Sequence, residues 1–507
     1  MSSHTYRSTR CATEQNISFE AAVLQGLATD GGLFVPSVIP QLEPDFLTKW
    51  KDLSFQELAF EVMRLYINPS EISDADLKEL VKKSYSTFRH DDVTPVQPID
   101  EAAGLYLLEL FHGPTYAFKD VALQFVGNLF EYFLTRKNEG KSDEEKDVLT
   151  VVGATSGDTG SAAIYGLRGK KDVSVFILYP TGRISPIQEQ QMATVLDKNV
   201  HTLSVKGTFD DCQDIVKQIF GDSDFNKKYH VGAVNSINWA RILAQQTYYF
   251  YAYFQLVKKL GNDAKIRFTV PSGNFGDILA GFYAKEMGLP IDKLIIATNE
   301  NDILDRFLKS GKYEKGGDVK ATLSPAMDIL ISSNFERLLW YLARQNVADG
   351  SDEKAGATVN DWFAQLKSTG GFEVPEAAIA AARKDFASER VDDADITKAI
   401  KKVYAASKYV LDPHTAVGVE TSYRNIEEDK KAAVENVKYI SLSTAHPAKF
   451  ADAVNEALNE FDGYSFEKDV LPEELKQLAA KEMKRVFIEK ADAELVKAAI
   501  VDELTKE

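Results

Sequence analysis

Cysteine is nearly missing from this chain: 507 residues hold two, Cys11 and Cys212, and neither stands in a CxxC spacing. A disulfide framework and a cysteine zinc site are thereby excluded, and free thiols in a reducing compartment are expected. Positive charge is also short. The 76 acidic side chains outnumber the 59 basic ones and leave a formal charge of −17, which argues against nucleic acid or an acidic membrane surface as partner. A small anionic substrate is still admitted, because a pocket sets its own local field. No apolar run is long and clean enough to span a bilayer. The opening MSSHTYRSTRCATEQN carries arginines without an apolar core or a long amphipathic stretch, so no leader is expected and cytoplasm is the expected address. The seven histidines form no HExxH or other metal spacing, and no catalytic metal is expected. Internal repeats and low-complexity blocks are likewise missing.

What is present reads as a soluble globular protein, 44% hydrophobic and 27% charged, with length for about two to four domains. Residues 1–95 form a mostly helical lead-in that passes through the turn-rich TDGG. From about residue 105, short apolar runs alternate with amphipathic helical ones: LYLLELF (105–111), VLTVVG (148–153), VSVFILYP (173–180), VHTLSV (200–205), IRFTVPSG (266–273), KLIIATN (293–299) and VKYISLST (437–444). Continuous rather than alternating apolar strands joined by helices predict an α/β fold with a parallel sheet covered on both faces. Ligands in such folds gather at the carboxyl ends of the strands. The charged run 136–147 reads as a solvated loop. Residues 350–375, with DGSDEKAGA and STGG, read as a mobile excursion or a joint between subdomains. The divisions expected are 1–95, a catalytic region 96–465 with two subdomains, and a helical tail 466–507.

Within that frame FHGPTYAFKD (111–120) places Lys119 at the mouth of the apolar run VALQFVGNLFEYFL. An unpaired ammonium is costly to bury. Lys119 is therefore either a snorkelling side chain with its head in water or an amine kept for chemistry. Two loops bear on the choice. TVVGATSGDTGSAAIYGL is a strand, a small polar loop from Gly153 to Gly160, and a helix starting near Ser161; FTVPSGNFGDILAGF repeats the device with Ser272–Gly276 and a helix from Asp277. Each turns main-chain N–H groups and a positive helix end toward one spot, which suits a carboxylate or phosphate. One glycine-rich turn alone is commonly just a strand-to-helix connection. The P-loop spacing GxxxxGK[ST] and the dinucleotide spacing GxGxxG both fail, because the glycines fall at 153, 157 and 160 with no lysine after them. Two anion cradles and an amine nucleophile are what pyridoxal phosphate chemistry asks for.

The chain also resembles the threonine synthase family, of the tryptophan-synthase-β type among pyridoxal-phosphate enzymes. The resemblance is carried, in order, by YRSTR (6–10), LQGLATDGGLFVP (24–36), FHGPTYAFKD (111–120), ATSGDTGSAA (154–163), RISPIQEQQM (183–192), NSINWARI (235–242), PSGNFGDILAG (271–281), LDPHTAVG (411–418) and STAHPAKF (443–450). Length and N-terminal segment match the longer fungal and bacterial form. The resemblance implies a large and a small α/β domain behind a mainly helical N-terminal segment, and pyridoxal 5'-phosphate as cofactor. It implies Lys119 as the catalytic Schiff-base lysine, Gly273, Asn274, Phe275 and Gly276 as the phosphate loop, and Thr444 at the pyridine nitrogen. Asp277, an acid beside a phosphate, is then expected to cap its own helix. Thr155, Ser156, Asp158 and Thr159 would grip the substrate carboxylate and the ring face. The wider superfamily has Asn where this chain has Asp158, whereas the threonine synthase pattern has Asp.

The implied reaction is a β,γ-replacement, the last step of threonine biosynthesis, that turns O-phospho-L-homoserine and water into L-threonine and phosphate. Ser236, Asn238 and Arg241 are the candidate cradle for the substrate phosphate, with Arg183 as competitor and an ordinary surface arginine as the alternative for Arg241. His112 either touches ligand or is a hydrogen-bonded structural histidine. Two rivals stand beside this reading. One is a serine or threonine dehydratase, with no terminal phosphate to bind; the other is an inactive metabolite-binding relative, against which the intact Lys119 and loops count. A monomer or homodimer is expected.

Overall fold

Runs rich in Val, Ile and Leu have no polar face to give to water, and each of those read above becomes a strand of a parallel sheet. The structure, a computed structural model, describes residues 4–10, 15–261 and 263–506. Cys11 lies outside the described residues, and Cys212 is a buried free thiol. The chain divides into two compact units, each discontinuous in sequence. The first comprises the segment up to Glu79, His90–His112 and Ser236–Ser465; the second comprises Leu80–Arg89, Gly113–Asn235 and the segment from Phe466 onward.

The first unit is built on a six-stranded sheet in the order Phe386–Arg390, Ile291–Thr298, Lys265–Pro271, Val437–Ser443, Leu105–Glu109, Val96–Asp100. All neighbours are parallel except the last pair. Its register sets Ile440 beside both Phe268 and Tyr106. Three adjacent parallel strands therefore end together, delivering the loop after Pro271, Thr444 after Ser443, and His112 after Glu109 to one edge of the sheet. The second unit holds a five-stranded parallel sheet in the order Val486–Ile488, Val200–Val205, Val173–Pro180, Leu149–Ala154, Val231–Gly232. Among the described residues no helix is long and apolar enough to cross a membrane.

Three expectations are corrected. Residues 350–375 are not a mobile excursion: Asp352–Thr369 is a helix, and Gly371–Glu373 pairs antiparallel with Lys312–Glu314. Ser351 caps the helix and Gly370, in the left-handed region, ends it, while Ala355, Val359, Trp362 and Leu366 form its buried stripe. The tail is not wholly helical, because Val486–Ile488 adds an edge strand to the second sheet. Its Ile488, Val496 and Ile500 pack into the same core as Phe176, Leu203 and Ile219, so the tail completes that core. Finally, the two glycine-loop helices begin at Asp158 and Gly276, earlier than read from sequence.

Candidate active site

In the second unit Lys119 opens the helix Lys119–Lys137 and is only half-buried. Its ammonium does not run out to water alone: Nζ donates to Thr159 Oγ1 at 2.8 Å. The amine and the TSGDTG loop are thus brought together. The preceding turn is fixed by Asp120, whose carboxylate accepts from the Thr115 amide and hydroxyl at 2.8 Å each. Sequence reading missed Arg89, which donates to the Gly113 and Pro114 carbonyls, lies 3.9 Å from the centre of the Tyr116 ring and pairs with Glu474. Tyr116 holds a left-handed φ of 61°, a costly conformation for a bulky residue. No local spacing signals Glu474 as a partner 385 residues from Arg89.

The 155–160 loop is shaped from within. Thr155 Oγ1 accepts from the amides of Gly157 and Gly160 at 2.9 and 2.8 Å, so this candidate substrate hydroxyl also folds the loop. Gly157 has φ 149°, and a Cβ there would lie 2.3 Å from Gln188 Nε2. Gln188 in turn donates to Asp158 Oδ1 at 2.9 Å, which fixes that carboxylate. Ser156 is exposed at the loop tip.

In the first unit the amides of Gly273, Asn274, Phe275 and Gly276 have no acceptor among the described residues, and they lie at the start of the helix Gly276–Met287. The left-handed residue of this loop is Phe275, at φ 66°, and not a glycine. The glycines serve space instead: a Cβ on Gly273 would stand 3.0 Å from Met327 Cα and 3.3 Å from the Ala326 carbonyl. Gly273→Ala is therefore expected to spread the loop and weaken cofactor binding about tenfold or more, with the fold kept. Equilibrium dialysis of pyridoxal phosphate checks this, and unchanged affinity would exclude the loop as the phosphate cradle. Thr444 is buried, with no hydrogen bond to its hydroxyl among the described residues, while Ser443 points instead to Thr415 Oγ1 at 3.0 Å. His112 Nε2 meets Glu109 Oε2 at 2.7 Å, and Tyr409 donates to the other carboxylate oxygen at 2.6 Å.

Asp277 corrects its expected role. The helix is capped at Phe275, with no side-chain cap, and Asp277 Oδ1 accepts from the hydroxyls of Tyr248 and Tyr249. Burial pushes this carboxyl up to about 7, so near neutrality it carries only part of its charge and repels a phosphate less. A carboxyl with a raised folded pKa favours the fold most below its ordinary value of 3.8, and loses that advantage as pH rises to about 7. Thermal unfolding of the apoprotein checks the sign: Asp277→Asn is expected to gain about 3 kcal/mol more at pH 8 than at pH 5. Equal gains at both pH values would contradict the shift.

The Ser236–Arg241 segment divides. Asn238 is 1% exposed, caps the helix Trp239–Leu260 through the Ala240 amide at 3.0 Å, and donates to the Val23 carbonyl at 2.8 Å. It is committed to the scaffold rather than turned to an open site. Ser236 is half-buried, with its hydroxyl 3.4 Å from Ser333 Oγ. Arg241 is no surface residue: it is 3% exposed, and Nε and Nη1 have no hydrogen-bond partner among the described residues. Burial pulls its guanidinium down to about 10. A buried cation without a carboxylate is costly unless an anion arrives. Arg183, its competitor, is exposed in the second unit. In the first unit pyridoxal phosphate fits this donor set, with four amides unpaired among the described residues at a helix N-terminus and the Thr444 hydroxyl after a neighbouring strand; the second unit, by itself, holds the Lys119 amine beside Thr159.

Family profiles agree with that chemistry. "Threonine synthase N terminus" matches residues 5–85, "Pyridoxal-phosphate dependent enzyme" 88–437 and "Threonine synthase, C-terminal" 415–500. The threonine synthase of Saccharomyces cerevisiae is 67% identical, over 99% of each chain. The solved yeast threonine synthase superposes with TM-score 0.96 at 66% identity, covering 100% of this chain and 99% of the other. A pyridoxal-phosphate-bound threonine synthase from Brucella melitensis superposes at 0.86 with 40% identity, covering 98% and 99%. The chain belongs to the threonine synthase family of pyridoxal-phosphate-dependent enzymes.

Proposed function

We propose that this member of the threonine synthase family converts O-phospho-L-homoserine and water to L-threonine and phosphate in the cytoplasm, where the buried free thiol of Cys212 is at ease. The amides of Gly273, Asn274, Phe275 and Gly276 would hold the cofactor phosphate, Asp277 braces their helix against Tyr248 and Tyr249, and the Thr444 hydroxyl would serve the ring nitrogen. When bound, the pyridoxal group supplies an electron sink for charge developed on the substrate carbons. Lys119 Nζ would hold the cofactor, and with substrate bound the Lys119 amine would move the proton at the α-carbon. The Thr159 hydroxyl orients that amine. Ser156, with Thr155 and Thr159, holds the α-carboxylate, and Asp158, fixed by Gln188, lines the ring face. Arg241 and Ser236 hold the terminal phosphate as it leaves.

The observation that carries this reading over a dehydratase is Arg241, a buried guanidinium with two nitrogens unpaired among the described residues, because a substrate with its own phosphate brings an anion beyond the α-carboxylate that a dehydratase substrate also carries. Product analysis tests it. O-phospho-L-homoserine is expected to give L-threonine and inorganic phosphate in equal amounts. Formation of a 2-oxo acid with ammonia, or no turnover by the cofactor-loaded protein, would overturn it.

A further inference from the structure

The segment Ser332–Arg337 hydrogen-bonds to both anion loops of the first unit, although no part of it stood out in the sequence. Toward the cofactor loop, Ser332 Oγ donates to the Gly273 carbonyl at 2.6 Å and the Asn334 amide donates to the Asn274 carbonyl at 3.0 Å. Toward the other loop, Asn334 Nδ2 donates to the Ser236 carbonyl at 3.1 Å. Arg337 locks the arrangement, with Nη1 on Asn334 Oδ1 at 2.6 Å and Nη2 on the Ile237 carbonyl at 2.7 Å. Asn334 is fully buried, so one residue is bonded to both loops and cannot turn without breaking with one of them. Its neighbour Ser333 is half-buried, with its hydroxyl 3.2 Å from Asn274 Oδ1 and 3.4 Å from Ser236 Oγ. Both contacts are long for hydroxyl hydrogen bonds. A phosphate oxygen at about 2.7 Å is the stronger acceptor and draws such a donor away.

We propose that Ser333 is a further binding residue for the terminal phosphate of the substrate, and that Asn334 is the positioning residue that sets the Ser236–Arg241 cradle against the cofactor loop. This rests on the reading of 236–241 as that cradle. A residue that only braced the fold would lower stability and cofactor affinity together; a half-buried hydroxyl that serves the substrate phosphate, as Ser333 does here, lowers neither when removed.

The test is steady-state kinetics on the cofactor-loaded protein, with inorganic phosphate as competing probe and cofactor affinity measured by equilibrium dialysis. Ser333→Ala is expected to raise KM for O-phospho-L-homoserine about tenfold and to weaken inhibition by inorganic phosphate equally. Its kcat and cofactor affinity should stay within about twofold, inside the scatter of a single neutral contact. Asn334→Asp keeps the acceptor for Arg337 and loses the donor to Ser236, so KM should shift in the same direction. Because Asn334 is buried and its variant is the one at risk of misfolding, the half-buried Ser333 carries the decision. An unchanged KM in Ser333→Ala beside a raised KM in Arg241→Met would overturn this inference alone. Cofactor affinity falling in step with KM would do the same. No change in either variant would overturn the cradle itself, and this inference with it.

Discussion

Lys119→Ala will fold and will release no phosphate from O-phospho-L-homoserine. The side chain is half-buried at the start of its helix, so its removal costs the fold little. On the role proposed for Lys119, its loss removes both the covalent hold on the cofactor and the base at the α-carbon. A positioned general base alone is worth about 10²–10⁴-fold, and turnover should fall by at least the upper figure. Lys119→Arg should be equally inactive, since a guanidinium keeps its charge and forms no such linkage. Phosphate release and thermal unfolding together check this. Residual turnover above one part in about 10⁴ in a folded Lys119→Ala would contradict the assignment.

Arg241→Met should move stability and affinity in opposite directions. Burial lowers the Arg241 guanidinium from its ordinary value to about 10, so at every pH below about 10 the ligand-free protein bears the cost of a buried charge. An apolar side chain of similar length removes that cost and should stabilise the apoprotein by up to about 3 kcal/mol. The same change deletes a charge-assisted contact to the substrate phosphate, worth about 2 kcal/mol, so KM should rise about thirtyfold. Cofactor absorbance should stay as it was. Calorimetry of the apoprotein beside steady-state kinetics measures both signs. Lower stability with unchanged KM would mark Arg241 as a purely structural residue.

What could be read from the sequence was what short segments decide for themselves. The seven apolar runs could only be strands of a covered sheet, and the small-residue loops after two of them could only be tight turns into helices. Lys119 and the 155–160 loop were legible for the same reason. What escaped was decided across the chain. Asp277 looks like a helix cap in its own segment, yet Tyr248 and Tyr249, 29 and 28 residues earlier on another helix, hold its carboxyl. Asn238 looks like a ligand donor beside Arg241 and is committed to Val23, 215 residues away. Lys354, Glu353 and the glycines around 350–375 hid the buried stripe from Ala355 to Leu366. A strand of three residues, Val486–Ile488, has no pattern of its own and exists because Leu203 and Val205 offer an edge. Ser333, Asn334 and Arg89 belong to the same class, with roles set by carbonyls they reach in other segments.

The most direct measurement of the central claim is reduction of the cofactor-loaded protein with borohydride, followed by digestion and identification of the modified peptide. The label is expected on Lys119, in the peptide that carries the sequence FHGPTYAFKD. A label on any other lysine, or none in a protein that still turns over, would contradict the account.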